Sequence, residues 1–194
     1  MMINKITVFC ASSRKAANSF FTETEEIAKI LVKNNITTIY GGGAAGLMGK
    51  LADTIISNGG EIIGVIPHFM KKVEWDHKGV DRMITVQDMH ERKKILIEDT
   101  DAVLALAGGT GTIEELFEVI TLKRLGIFTK PIIILNTNNY YAPLIQMLEN
   151  SIKEKFLNEI HRKMWTIIEK PDELISAIRN APLWDETSRN FALV

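Results

Sequence analysis

Cysteine is nearly absent from this chain of 194 residues, whose single thiol is Cys10. One cysteine cannot form a disulfide within the chain, and it excludes a metal site made of several cysteines. An excess of either charge is also missing, because 23 Lys and Arg residues balance 24 Asp and Glu residues to a formal net charge of -1. This balance gives no reason to expect nucleic acid or an anionic membrane as a partner. Small molecules and protein chains remain, and a lone cysteine fits the reducing cytoplasm.

Long apolar runs and metal-ligand spacings are missing as well. No apolar stretch approaches the roughly 20 residues that span a bilayer, and the N-terminus lacks the pattern of a secretory signal. We therefore expect neither export nor membrane insertion. The four histidines show no spacing such as H-x-x-x-H, so no metal site is expected; they are His68, His77, His90 and His161.

The chain does contain short apolar segments that alternate with amphipathic ones. Strands are predicted at 3–10, 36–40, 61–66, 101–106 and 131–135, and helices at about 19–33, 47–57, 89–98 and 112–125, with an irregular polar stretch after Pro67. The strands lack internal polar alternation, which indicates a parallel sheet covered on both faces. The predicted fold is a single doubly wound, Rossmann-like α/β domain over residues 1–180. A poorly ordered C-terminal tail at 181–194 is predicted to follow.

Two glycine-rich loops each follow a predicted strand and open a predicted helix. The first spans residues 41–49 and the second residues 108–112. Ligands of open parallel sheets collect at the carboxyl ends of the strands, where helix N-termini direct N–H groups at an anion. Glycine lets the backbone approach a phosphate closely, and the Thr112 hydroxyl adds a donor. Tight turns need glycine without any ligand, but two such loops in one small domain favour phosphate binding.

Two other nucleotide-binding interpretations fit these loops poorly. Gly41-x-Gly43-x-x-Gly46 matches the dinucleotide fingerprint, but it follows the second strand instead of the first. The acidic residue about 20 positions on would be Glu61, at the start of a strand, which argues against an NAD-linked oxidoreductase. The second loop lacks the Gly-Lys-Ser/Thr ending of a P-loop. A monophosphate is therefore the expected ligand.

Charged and aromatic residues flank the second loop and the helix before it. Glu114 and Glu115 are predicted in the first turn of the helix that the loop opens; Glu114 would complement the helix dipole, and Glu115 is the better catalytic candidate. The basic cluster at 89–94 can be a solvated helix face, or Arg92 can clamp a phosphate or steady a leaving group. Trp75 is predicted to be a packing residue that could border a pocket.

Three motifs occur in order along the chain. They are Gly41-Gly42-Gly43 with Gly46-Leu47-Met48-Gly49, then Met89-His90-Glu91-Arg92-Lys93, then Gly108-Gly109-Thr110-Gly111-Thr112-Ile113-Glu114-Glu115. Together they resemble the LOG (Lonely Guy) family of cytokinin riboside 5'-monophosphate phosphoribohydrolases, in a likeness that runs from about Lys5 to Ala177. The resemblance implies an enzyme without a cofactor that separates the base of a nucleoside 5'-monophosphate from its ribose. It also implies a homodimer or a higher homo-oligomer.

The resemblance assigns roles to individual residues. Glu115 matches the final Glu of the family signature P-G-G-x-G-T-x-x-E, and Arg92 matches the Arg of its M-H-x-R-K motif, so these two form the expected catalytic pair. Ala107 replaces the signature proline, which we expect to cost modest stability or affinity. The expected substrate-binding residues are Glu74, Lys93, Gly108, Gly109, Thr110, Gly111, Thr112, Thr121, Ser12, Ser13, Gly42, Gly43 and Met89.

Two questions stay open at this point. A non-catalytic carrier of a nucleotide or of the molybdenum cofactor is the alternative function, because similar folds and loops occur in such carriers. A carrier would not need Glu115 and Arg92 together. The apolar helix at 116–125 is a candidate subunit contact, although burial against its own sheet is the simpler explanation. The older lysine decarboxylase label of many family members fits poorly with a phosphate cradle and no evident Schiff-base lysine.

Overall fold

Seven parallel strands form one sheet at the centre of the computed structural model, which describes residues 2–72 and 75–191. The strands are β1 (Lys5–Phe9), β2 (Thr37–Tyr40), β3 (Ile62–Pro67), β4 (Arg82–Val86), β5 (Ala102–Ala105), β6 (Ile132–Leu135) and β7 (Thr166–Ile168). Their order across the sheet is β4-β3-β2-β1-β5-β6-β7. Strands β2, β3 and β4 therefore lie in succession on one side of β1, and strands β5, β6 and β7 lie in succession on the other.

Helices cover both faces of this sheet. They are α1 (Asn18–Lys33), α2 (Gly46–Ser57), α3 (His68–Lys72), α4 (Met89–Glu98), α5 (Thr110–Arg124), α6 (Ala142–Lys153) and α7 (Leu174–Asn180), with 3-10 helices at Thr137–Asn139, Glu159–Met164, Pro171–Glu173 and Glu186–Phe191. One buried cluster joins α1, α2 and α7 to one face, and a second joins α4, α5 and α6 to the other. Neighbouring residues of β5 belong to different clusters: Leu104 packs in the first cluster and Val103 packs in the second. The doubly wound α/β fold predicted from the sequence is confirmed.

The predicted elements are confirmed with shifts of one or two residues at their ends, but the stretch after Pro67 is not irregular. It contains α3 and the edge strand β4. In β4 the side chains of Arg82 and Thr85 are exposed. A strand with one neighbour and a partly solvated surface lacks the continuous apolar run by which the central strands are predicted.

Residues 181–191 pack on the domain, in the part of the chain for which the sequence predicts a poorly ordered tail. The Trp184 Nε1–H donates to the carbonyl of Lys123 near the end of α5, at 2.6 Å. Residues Glu186–Phe191 form a 3-10 helix that contacts α5. Residues 181–191 therefore contact the domain through an aromatic anchor and a short helix, neither of which has a period that the sequence would show.

Lys123 is fully buried beneath this segment. Its Nζ donates to the carbonyl of Lys130 at 2.6 Å, and burial lowers the pKa of the amine to about 8.

In the described parts of the chain, no helix has the length and apolar character needed to cross a membrane. The cytoplasmic location stays a prediction.

Candidate active site

A crevice of about 550 Å³ opens at the carboxyl ends of β1, β2, β3 and β5. It lies where the order of strands reverses, since β1 leads to β2 on one side and pairs with β5 on the other. The loops after β1 and β5 are tied together there, because the Ala11 N–H donates to the Ala107 carbonyl at 3.2 Å. Open parallel sheets bind their ligands at such a switch point. The crevice is therefore the candidate site on topology alone.

Arg92 and Glu115 form a buried ion pair at the floor of this crevice. Arg92 Nη1 donates to Glu115 Oε1 at 3.0 Å, and the two residues are 8% and 9% exposed. The remainder of the guanidinium is held by backbone, with Nε donating to the Val65 carbonyl at 3.1 Å and Nη2 to the Gly41 carbonyl at 3.2 Å. A charge so deeply buried must be hydrogen-bonded, and here the acceptors are the Glu115 carboxylate on α5 and the backbone carbonyls of β3 and of the loop after β2. The pair is fixed in one geometry.

The N-terminus of α4 places Arg92. The Asp88 side chain caps this helix by accepting from the backbone N–H groups of His90 at 2.8 Å and Glu91 at 2.9 Å. Arg92 follows one turn later on the face of α4 directed at β3 and the crevice. The cap thus sets the start of the helix and the position of the guanidinium together.

Burial and charge act in opposite directions on Glu115. Removal from water raises the pKa of the carboxyl above its ordinary value of 4.5, and the Arg92 guanidinium lowers it. Glu114 and Glu118 also raise this pKa, while Lys93 lowers it, and the net direction is upward. A carboxylate with a raised pKa is a better proton acceptor than an ordinary exposed one.

The second glycine-rich loop forms the N-terminal cap of α5. Gly109 is the N-cap residue, with φ −83° and ψ −157°, so α5 begins at Thr110 and not at Thr112. The first N–H groups of a helix have no acceptor within it, and here they border the crevice. A Cβ on Gly108 would come within 2.1 Å of Thr112 Oγ1, which explains the glycine in this tight turn. The Tyr140 hydroxyl holds the loop by donating to the Gly108 carbonyl at 2.6 Å.

Because α5 starts two residues before its predicted start at Thr112, Glu114 and Glu115 lie in its second turn. The prediction that they lie in the first turn is wrong. Glu114 is instead a partner of Lys93, whose Nζ lies 2.5 Å from Glu114 Oε1 and 2.9 Å from Glu118 Oε2. Dipole complementarity is therefore a weak explanation for Glu114, since the effect fades beyond the first turn.

The first glycine-rich loop serves packing more than direct anion binding. A Cβ on Gly41 would lie 2.2 Å from Arg92 Nη2, so this glycine leaves the space that the guanidinium fills. Gly46 has φ +62° and lies so close to the backbone of Ser12 that a Cβ would approach its carbonyl carbon to 2.4 Å. Close packing therefore accounts for the glycines at both positions without any ligand.

The structure brings most of the predicted site residues together. The crevice is lined by Ser12, Gly43, Met89, Gly109, Thr110, Gly111 and Thr112 together with Arg92 and Glu115. Ser13, Gly42 and Gly108 lie next to lining residues in the same loops. Lys93 is paired with its two glutamates, and Thr121 is exposed on α5, about 16 Å along the helix from its start. Glu74 lies outside the described residues.

Several residues of the crevice carry no sequence signal. Trp75 is 60% exposed and lines the crevice, so it is not mainly a packing residue. Its carbonyl accepts from the Ala44 N–H at 3.0 Å, and the next residue, Asp76, forms a bridge with Gly43. Arg14, Cys10, Met48 and Met70 also line the crevice. Apart from Met48, which lies in the first motif, these positions match no motif, and only the fold shows that they are close to one another.

Known proteins similar in sequence cover most of this chain. The sequence model of a family described as "Possible lysine decarboxylase" matches residues 48–178. A cytokinin riboside 5'-monophosphate phosphoribohydrolase from Rhodococcoides fascians is 36% identical over 176 residues, which are 90% of this chain and 89% of that protein. A protein of the same name from Arabidopsis thaliana is 33% identical over 199 residues, covering 97% and 93% of the two chains. The chain belongs to the LOG family.

Solved structures place the LOG-family fold of this chain beside that of cofactor carriers. A molybdenum cofactor binding protein from Rippkaea orientalis superposes with a TM-score of 0.71 at 19% identity, covering 92% of this chain and 97% of that one. A molybdenum cofactor carrier protein from Chlamydomonas reinhardtii gives a TM-score of 0.69 at 19% identity, with 92% and 98% coverage. At this identity the likeness concerns the fold alone.

The family description as a lysine decarboxylase has no support in the crevice. Its described lining residues include Arg14, Arg92 and Glu115 but no lysine that could form a Schiff base. Lys93, the nearest lysine in sequence to Arg92, is engaged by Glu114 and Glu118. The charged and polar groups that the described lining offers are therefore two guanidinium groups, a carboxyl and a helix N-terminus.

Proposed function

We propose that this LOG-family chain hydrolyses the N-glycosidic bond of a purine or cytokinin riboside 5'-monophosphate, releasing the free base and ribose 5-phosphate. The observation that carries the proposal is the buried Arg92–Glu115 pair, which shares one crevice with the N-terminus of a 15-residue helix. The helix provides a place for the phosphate, and the pair provides a place for chemistry at the sugar. Water is the only co-reactant.

The phosphate binds at the start of α5. Backbone N–H groups from Thr110 to Thr112 supply donors, and the helix dipole adds about half a positive charge at this end. Glu115 follows one turn later on the same helix. Anchoring the phosphate therefore positions C1' of the ribose near the carboxyl, so that binding energy from a remote group orients the reacting bond.

Glu115 assists cleavage of the bond between C1' and the base nitrogen. As this bond breaks, its electron pair goes to the base and positive charge develops on the ribose, which a carboxylate stabilises as in glycosidases. Water then bonds to C1', and the proton that it loses passes through Glu115 to the departing base. The raised pKa of Glu115 suits this transfer, because the group can hold the proton between the two steps.

Arg92 orients Glu115 and assists the leaving group. Three of its five N–H groups are used by Glu115, Val65 and Gly41, which leaves two that can reach the base or the ribose phosphate. The contact with Oε1 leaves Oε2 of Glu115 for water. The guanidinium thus orients the Glu115 carboxyl before any substrate is bound.

The base occupies the part of the crevice beyond the pair, where the lining is apolar. Met48, Met70 and Trp75 provide thioethers and an exposed indole for contact with a purine ring or its N6 substituent. Ranking AMP against an N6-isopentenyl nucleotide tests this assignment, since an apolar base site should favour the substituted purine.

A homodimer through the outer face of α5 completes the proposal. Leu116, Val119 and Ile120 are buried against the chain's own sheet, whereas Phe117 is 36% and Leu125 44% exposed. The exposed Thr121 lies on this outer face and would reach a nucleotide only in a partner's crevice. Light scattering on the purified protein measures the mass directly, and a monomer at micromolar concentration would contradict this part.

A cofactor carrier is the second candidate, supported by the fold similarity described above. A carrier needs the phosphate cradle but has no use for a buried acid–base pair.

Purified protein is incubated with AMP and with N6-isopentenyladenosine 5'-monophosphate, and base and ribose 5-phosphate are followed by chromatography. Glu115→Gln should lose turnover by roughly 100- to 10,000-fold while still binding nucleotide, and Glu114→Gln on the same helix is the matched control. Intact nucleotides after incubation with the unaltered protein, with binding retained, would favour the carrier.

A further inference from the structure

The charge of the crevice depends on one residue that no motif contains. Among the described lining residues, the charged side chains are Arg14, Arg92 and Glu115. Arg92 and Glu115 neutralise each other in their buried pair. Arg14 is exposed, and within the described parts of the chain its guanidinium has neither a hydrogen bond nor an ion pair. Arg14 therefore supplies the uncompensated positive charge of the crevice.

The loop that carries Arg14 is fixed beside the phosphate cradle. It continues β1, which pairs with β5, and the Ala11 N–H donates to Ala107 just before the cradle begins. On its other side the loop packs against Gly46, and the Met48 N–H donates to the Ala11 carbonyl at 3.1 Å. The backbone is thus held on two sides, while the long side chain of Arg14 remains able to move within the crevice.

A nucleotide phosphate needs more charge than the cradle supplies. It carries about two negative charges at neutral pH, against about half a positive charge from the helix N-terminus. Arg92 has two N–H groups left for the substrate, but its positive charge is already balanced by Glu115. A guanidinium matches phosphate oxygens in a bidentate geometry.

We propose that Arg14 binds the 5'-phosphate of the substrate from the side opposite the α5 N-terminus and sets the selectivity for nucleoside monophosphates over nucleosides. This inference rests on the proposed function, because it places the substrate phosphate in the same cradle. It separates two tasks between two arginines, with Arg14 binding the phosphate and Arg92 serving the glycosidic bond.

The test compares Arg14→Gln and Arg14→Lys with Lys15→Gln, which removes the same charge from the neighbouring position outside the crevice lining. Arg14→Gln should raise KM for the nucleotide by about 10- to 100-fold with kcat within a few-fold, since a hydrogen bond to a charged group contributes about that factor. Arg14→Lys should recover part of the loss, and Lys15→Gln should stay within about threefold of the unaltered protein. The salt dependence of KM should also weaken in Arg14→Gln alone.

Calorimetric titration with ribose 5-phosphate separates failure of this inference from failure of the proposed function. If no nucleotide is hydrolysed but ribose 5-phosphate binds and Arg14→Gln weakens it at least tenfold, the hydrolase proposal fails and the phosphate role of Arg14 stands. Equal affinities in Arg14→Gln and the unaltered protein would overturn the role of Arg14. Equal losses in Arg14→Gln and Lys15→Gln would also overturn it, because the effect would then come from the overall positive charge of the surface. The absence of any ribose 5-phosphate binding would overturn it as well.

Discussion

Arg92 and Lys93 are neighbours on α4, and Glu114 and Glu115 are neighbours on α5, yet the four side chains separate into two different sets. Arg92 and Glu115 meet in the floor of the crevice, each less than one tenth exposed. Lys93 meets Glu114 and Glu118 outside the crevice lining, where the glutamate side chains are 52% and 35% exposed. Successive helix residues point about 100° apart, so one step along each helix moves a charge from the crevice to the surface.

The basic cluster on α4 and the acidic pair on α5 therefore make two kinds of interaction, one exposed and one buried. The exposed set gains little from its charges, because water screens them. The buried pair has lost its water and is stable only while both partners are present. A catalytic role is therefore expected for the pair that is shielded from solvent, and variants of these residues and of Gly41 test the difference between the two sets.

The largest effect is expected from Arg92→Gln. Loss of the guanidinium leaves the Glu115 carboxyl buried without its cation, which should lower the free energy of unfolding by about 3–5 kcal/mol. Turnover should fall by about 100-fold or more, because the carboxyl loses both its orientation and the charge that keeps it ionised. Urea unfolding and base-release assays measure the two losses, and the double variant with Glu115→Gln should be more stable than Arg92→Gln alone. A double variant as unstable as Arg92→Gln would contradict the pair.

Gly41→Ala should have the next largest effect, because it disturbs the Arg92–Glu115 pair from a neighbouring loop. The added methyl would lie 2.2 Å from Arg92 Nη2, and the guanidinium cannot move away without breaking its hydrogen bonds. A displacement of about 1 Å at a catalytic group lowers turnover by about 100-fold. The expected result is a lower kcat together with a lower temperature of unfolding, because buried hydrogen bonds are lost; unchanged kcat would show that Arg92 has more freedom than its contacts indicate.

Lys93→Gln should have a smaller effect, visible mainly in the pH profile. If Glu115 acts as a carboxylate, activity falls as pH decreases through its pKa, which lies above the ordinary 4.5. Lys93 lowers that pKa, so its removal should move the acidic limb to higher pH while kcat at the optimum changes less than about fivefold. A large rise in KM would mean instead that Lys93 leaves its glutamates to bind the nucleotide, as the family resemblance implies.

Glu114→Gln should have the smallest effect and the opposite sign. Glu114 raises the pKa of Glu115, so its neutralisation should move the acidic limb slightly to lower pH. Turnover at the optimum should change less than about twofold, since the side chain is half exposed. A pH-rate series beside Lys93→Gln measures both shifts, and shifts in the same direction would contradict the assignment of opposite influences.

The sequence predicts the central strands and the long helices because their side chains repeat with regular periods. It also predicts Arg92 and Glu115, since both lie in motifs of fixed spacing. It does not predict β4, whose edge position mixes exposed and buried residues, or the exact start of α5, which Gly109 determines through its backbone conformation. Arg14 and Trp75 belong to no motif, and they reach the crevice only because β1 and the loop after α3 end there.

Lys123 links the alkaline stability of the protein to the segment that covers it. Its pKa is lowered from 10.5 to about 8, so between these values the unfolded chain binds a proton that the folded chain does not. The contribution of this amine to the free energy of unfolding therefore rises with pH across that interval and falls as pH decreases through about 8. Trp184 donates to the carbonyl of the same residue. The C-terminal segment is thus anchored to the backbone of a residue whose protonation favours unfolding.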